Sequence, residues 1–104
     1  MKRKYDYSID IKKNDILVWT NDDNIALDFF IASCDHVAHG TEFERPDSDY
    51  VVGCSKYGDI YDLHGDWCFD RKATEQEKEE FFRLLDIYNI YLNLNTFEIH
   101  KYHE

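Results

Sequence analysis

A chain of 104 residues with 43% apolar and 16% aromatic side chains has room for one domain and one core, since its eight Tyr, seven Phe and two Trp each bury roughly 150–250 Å² when inside. A single Pro with four Gly argues against a disordered or low-complexity chain, and twenty-two acids against twelve bases leave a formal charge of −10. That excess disfavours direct nucleic-acid binding and adhesion to an anionic membrane, and favours a protein partner with a basic surface.

The elements follow in chain order. Tyr5, Tyr7, Ile9 and Ile11 alternate with Asp6, Ser8 and Asp10, the period of a half-buried strand over 5–11. KKND turns, and ILVWT (16–20) predicts a more central strand. NDDN (21–24) is a turn of residues that hydrogen-bond their own backbone. IALDFFIAS (25–33) then puts Ile25, Leu27, Phe29 and Ile31 on one apolar face and Ala26, Asp28, Phe30 and Ala32 on the other, completing a three-stranded meander. Residues 35–49, DHVAHGTEFERPDSD, have no period and predict a long loop. YVVGC (50–54) and IYDL (60–63) predict strands around the SKYGD turn, and HGD (64–66) turns toward WCF (67–69).

The composition then changes. Thr74 and Glu77 form a capping box, and Glu75, Glu77, Glu79 and Glu80 suit the positive end of a helix dipole. Phe81, Leu84, Leu85 and Tyr88 share one stripe with Phe82 at its border, so an amphipathic helix is predicted over 75–88, stopped by Asn89. Residues 90–93 and 97–101 read as a terminal hairpin. The expected fold is α+β in a single domain, 1–104: a twisted antiparallel sheet or small open β-barrel of five to seven strands, one helix packed on it, and a C-terminal β-hairpin. Its core should draw on Ile16, Val18, Leu27, Phe29, Ile31, Val51, Trp67 and Phe97.

The charge is unevenly spread. Residues 1–13 carry five bases against two acids, whereas residues 21–70 carry twelve acids against Arg45 and Lys56 alone. One reading is an acidic face that docks on a basic protein surface; the plain alternative is that the acidity only keeps the domain soluble.

Cysteine and histidine offer other chemistry. Cys34, His36, His39 and Cys54 could supply four zinc ligands, although C-x-H-x2-H is not a recurring zinc spacing, and Cys34 reads equally as the end of a strand. A reactive thiol needs a positive neighbourhood, but all three cysteines lie among acids that raise a thiol pKa. DIYDLHGD (59–66) fails the calcium-loop pattern, having His64 where glycine belongs and Asp70 at the twelfth place. No phosphate loop, dinucleotide fingerprint or serine elbow is present, and no cofactor is expected. The odd cysteine count, the polar opening MKRKYDYS and the lack of a long apolar run predict a cytoplasmic protein with reduced thiols.

DILVW followed by LDFFIAS, and later RKATEQEKEEFFRLLDIYNIYLNLNTFEIHK, resemble small proteins of prophages and mobile elements in Bacteroides-type gut bacteria. Those have an apolar strand, a polar turn and a "W..DFFS"-like strand, then an "AT-x-E-E-K" helix start, an aromatic helix and a short hairpin. Where they carry a proline-tyrosine turn in the middle, this chain has YDLHGD. The resemblance implies a small accessory protein of a phage or mobile element, and no particular activity.

The expected function is therefore a non-enzymatic acidic protein-binding module. Its face would comprise Asp22, Asp23, Glu42, Glu44, Asp47 and Asp49, in the strongest form mimicking nucleic acid as an inhibitor. The alternatives are a metal-dependent or thiol enzyme centred on Cys34, His36, His39 and Cys54, and a structural or regulatory domain whose acidity has no binding role.

Overall fold

The computed structural model describes residues 8–39, 42–43, 50–64 and 67–102. In chain order these form β1 (Ser8–Ile11), β2 (Ile16–Thr20), β3 (Ala26–Ala32), β4 (His36–His39), β5 (Glu42–Phe43), β6 (Tyr50–Ser55), β7 (Ile60–His64), β8 (Trp67–Cys68), β9 (Arg71–Lys72), α1 (Glu75–Ile87), β10 (Ile90–Leu92) and β11 (Ile99–Lys101). The fold is α+β. Five strands pair antiparallel in the order β7-β6-β3-β2-β9, an open sheet that does not close into a barrel. Two-stranded ladders β1-β4, β5-β8 and β10-β11 accompany it. Among the described residues no helix is long and apolar enough to cross a membrane.

The main sheet is buried on both faces, which is why ILVWT and DFFIA are nearly continuous apolar runs. One face carries Ile16, Val18, Phe29, Ile31 and Val52, covered by Phe81, Leu84 and Leu85 of α1 and by Ile90 and Phe97 of the terminal hairpin. The other carries Leu17, Phe30, Ala32 and Val51, covered by Ile11 of β1 and by Phe69. Of the expected core, Ile16, Val18, Phe29, Ile31, Val51 and Phe97 are buried. Leu27 is only half-buried, and the side chain of Trp67 falls outside the described residues.

Leu27 departs for a geometric reason. Trp19 stands opposite Asp28, but Thr20 stands opposite Ala26, so Leu27 is the extra residue of a bulge. One inserted residue reverses the inside–outside sense of everything before it. Ala26 therefore joins the helix-side core, and Ile25, expected inside, is 52% exposed.

Two expectations about pairing are corrected. β1 does not complete a meander with β2; it pairs with β4, Ile11 opposite His36 and Ser8 opposite His39. The stretch expected as a loop over 35–49 thus contains strand at His36–His39, and again at Glu42–Phe43, which pairs with Trp67–Cys68. Neither segment alternates in hydrophobicity, so its pairing is set by partners distant in sequence. Cys34 is not the last strand residue either, because β3 ends at Ala32.

The helix begins as its capping box dictates: the Glu77 N–H donates to Thr74 Oγ1 at 3.2 Å, and the Thr74 N–H donates to Glu77 Oε1 at 2.9 Å. It ends where Asn89 takes φ 55°, a left-handed conformation that asparagine tolerates. Glu77 has a second task. The Arg71 guanidinium grips it through both terminal nitrogens, Nη2 to Oε2 at 2.9 Å, and reaches back with Nε to Asn24 Oδ1 at 2.9 Å and Nη2 to Asn24 O at 3.1 Å. One side chain, 47 residues from Asn24 in sequence, thereby ties the β2–β3 turn to the helix N-terminus.

Arg71 first, and the Thr74 backbone after it, hold the Glu77 carboxyl at about 2 against the desolvation that opposes them. A depressed folded pKa stabilises the fold fully above the unfolded value near 4.5, and the contribution is lost as pH falls toward 2. Glu77→Gln is accordingly expected to cost roughly 1–2 kcal/mol at pH 7, less than a fully buried charged bond because Arg71 is 29% exposed. Urea titrations at stepped pH should show the wild-type–variant difference shrinking below pH 4.5 and vanishing near 2. A difference constant across that window would remove the pair from the stability account.

Candidate functional site

The β2–β3 turn is built by one residue. Asn21 Oδ1 accepts from the Asp23 N–H at 2.9 Å and the Ile25 N–H at 3.0 Å, and Asn21 also exchanges backbone bonds with Asn24 and Ile25. Asn24 closes the turn at φ 62° and is held by Arg71. The strand end beneath is clamped by Asp70, whose Oδ2 accepts from the Thr20 N–H at 2.7 Å and its hydroxyl at 3.1 Å. Asp22 and Asp23 are therefore displayed on a held turn, exposed, and neither carboxylate has a hydrogen-bond or ion-pair partner among the described residues.

The same end of the sheet also exposes large apolar side chains. Trp19 is 51% exposed, Ile25 in the turn itself is 52% exposed, and Tyr57 is exposed on the β6–β7 turn. That second turn lies at the same end of the sheet, because the Lys56 N–H donates to Leu27 O at 2.9 Å. Lys56 is itself occupied over the Tyr57 ring, 5.7 Å from its centroid. The tip thus combines exposed aromatic and aliphatic side chains with two carboxylates that have no partner among the described residues.

The other five carboxylates of the acidic stretch whose side chains are described are each engaged within the fold. Asp28 accepts from the Tyr61 hydroxyl at 2.7 Å, Asp35 from the Lys13 N–H at 2.8 Å, and Asp70 clamps Thr20. Asp62 lies 3.1 Å from His64 Nε2 and Asp59 meets the Ser55 hydroxyl. Burial, then the bond to Asp28 and its charge, push the Tyr61 phenol up to about 12, so this hydroxyl remains a donor at neutral pH.

Of the six carboxylates expected to form one face, Asp22 and Asp23 are brought together. Glu42 sits in β5 opposite Cys68, with its side chain outside the described residues, as are Glu44, Asp47 and Asp49 entirely. The chain rejoins the sheet at Tyr50, the start of β6, whereas the tip lies beyond its end at Ser55, roughly 17 Å away at 3.3 Å per residue. Comparison with family models, curated proteins and solved structures returns no match. The geometry of the tip therefore carries the functional argument.

Cys54 stands apart from Cys34 in the expected ligand set. Cys54 is fully buried opposite Phe29, while Cys34 lies in the bend after Ala32, whose partner is Val51, three residues or about 10 Å from Cys54 along β6. The backbones of His36 and His39 lie on β4; their side chains are outside the described residues. Among the described residues no three His, Cys, Asp or Glu side chains gather as a metal site would require. Burial, with the Asp28 charge adding to it, pushes the Cys54 thiol up to about 11, which leaves it protonated and unreactive at neutral pH.

Trp19, Ile25 and Tyr57 were not legible as site residues. Trp19 lies within an apolar run that reads as core, and the Leu27 bulge turns Ile25 outward. The available signal was Asp28, an acid inside DFFIA, which marks where that strand's second face stops being apolar.

Proposed function

We propose that the protein is a non-enzymatic protein-binding module that engages a basic surface of its partner through the β2–β3 tip. The observation that carries this reading is that Asp22 and Asp23 lie exposed on a hydrogen-bonded turn, without a partner among the described residues, at the sheet end that also exposes Trp19 and Ile25. Exposed aromatic anchors with charge at their rim are the composition of an interface: the anchors supply affinity, and the charges steer the encounter and select the partner. A turn fixed before binding loses little conformational entropy on docking. The inert Cys54 thiol and the structural use of Asp28, Asp35, Asp59 and Asp70 support a role in binding rather than catalysis. A cytoplasmic setting, in a phage or mobile element, belongs to the same proposal and rests on the cysteine count and the quoted resemblance.

The test is affinity capture from a Bacteroides-type lysate on immobilised wild type and on a variant carrying Trp19→Ala, Asp22→Asn and Asp23→Asn. The expected result is a basic protein retained by the wild type and bound at least tenfold more weakly by the variant, whose melting temperature stays close to wild type because all three side chains are solvent-facing. Equal retention by a folded variant would contradict the proposal.

A further inference from the structure

Between the C-terminal half of α1 and the hairpin β10-β11 lies a groove of about 480 Å³, with Phe82, Asp86, Asn89, Tyr91, Leu94 and Tyr102 on its walls. Phe82, Leu94 and Tyr102 are exposed, so three large apolar side chains converge on one concavity rather than being scattered singly. Tyr91 meets Tyr102 edge to face at 5.8 Å and His100 at 4.8 Å, forming an aromatic wall.

Among the described residues the one charged side chain lining this groove is a carboxylate. Asp86 lies in the last turn of α1, where the helix dipole is already negative, and that turn contains no basic residue. No Lys or Arg lines the groove among the described residues. A carboxylate placed against the dipole costs a free protein stability, and the cost is relieved by a cation brought from outside. Aromatic faces beside a carboxylate suit a guanidinium, which stacks on rings and forks onto carboxylate oxygens.

We infer that this groove docks an arginine-bearing apolar segment of a partner protein, the guanidinium on Asp86 against the Tyr91–Tyr102 wall and a neighbouring aliphatic side chain on Phe82 and Leu94. The groove is lined by none of the tip residues Asp22, Asp23, Trp19 or Ile25, so the inference stands independently of the tip.

The experiment titrates ¹⁵N-labelled protein with an acetylated, amidated Leu-Arg-Leu-Leu peptide and with its citrulline counterpart, which keeps the shape and removes the charge. Amide shifts are expected at residues 82–94 and 102, with the arginine peptide binding at least about tenfold more tightly than the citrulline one. Asp86→Asn should abolish that preference while its melting temperature holds or rises, since the unfavourable dipole contact is gone. Phe82→Ala, at an exposed position, should weaken both peptides alike. Absent shifts in the groove at millimolar peptide, equal binding of the two peptides, or a preference that survives Asp86→Asn would each overturn the inference.

Discussion

Phe81→Ala is expected to destabilise the protein by about 3–5 kcal/mol, a large share of the roughly 5–15 kcal/mol that holds a domain together. Phe81 is fully buried, its ring 6.0 Å from that of Phe29 in a stacked arrangement, and it sits at the centre of the face where α1 meets the sheet. Removing it leaves a cavity between a helix and a strand that are each fixed elsewhere, α1 by Thr74 and Arg71 and β3 by pairing on both sides, so neither collapses easily into the void. Chemical denaturation should show a lowered midpoint with an unchanged slope. Phe82→Ala, one position along and exposed, should cost under about 1 kcal/mol. Equal costs at the two positions would contradict the orientation of the helix.

Gly53→Ala is expected to be comparably severe, for a different reason. A Cβ at this position would overlap the Phe29 carbonyl oxygen and lie 2.8 Å from its carbon and 2.9 Å from the Phe30 Cα, all backbone of the adjoining strand. No rotamer change relieves such a contact; the central β3-β6 pairing itself must move. The absent side chain also lets Phe30 and Tyr61, the cross-strand neighbours of Gly53 on either side, bring their rings within 5.5 Å over it. The cost should reach or exceed the roughly 1–3 kcal/mol of ordinary overpacking. A stabilising effect, as alanine gives where the backbone accommodates it, would show that the register of β6 on β3 is wrong.

Local chemistry made much of the fold readable. The capping box at Thr74 and Glu77, the apolar stripe of Phe81, Leu84 and Leu85, and the turn residues around Asn21 and Asn89 each act within a few positions, and each sits where the sequence places it. What was hidden depends on pairing at a distance. HVAH has no strand period, yet it pairs with β1 because Ile11 closes the second core beneath Leu17 and Phe30. Arg71 carries no local signal for its grip on Asn24. The bulge at Leu27 moved Ile25 from core to surface and with it part of the candidate site. For Asp22 and Asp23 the acidic composition marked the pair, but it could not distinguish carboxylates left without a partner among the described residues from Asp28, Asp35 and Asp70, which the fold itself uses.

The tip reading therefore rests on two kinds of side chain with separable signatures: Trp19 and Ile25 as apolar anchors, Asp22 and Asp23 as charge. Charge responds to screening, with a Debye length of about 10 Å at 0.1 M salt, and apolar contact does not. The most direct measurement is the affinity of the captured partner across a sodium chloride series, for wild type, Trp19→Ala and the Asp22→Asn/Asp23→Asn pair. The account predicts that wild-type affinity falls steeply with salt, that the asparagine pair flattens the dependence, and that Trp19→Ala lowers affinity without changing the slope. A wild-type affinity indifferent to salt, or a slope that the asparagine pair leaves unchanged, would contradict a basic partner docked on this tip.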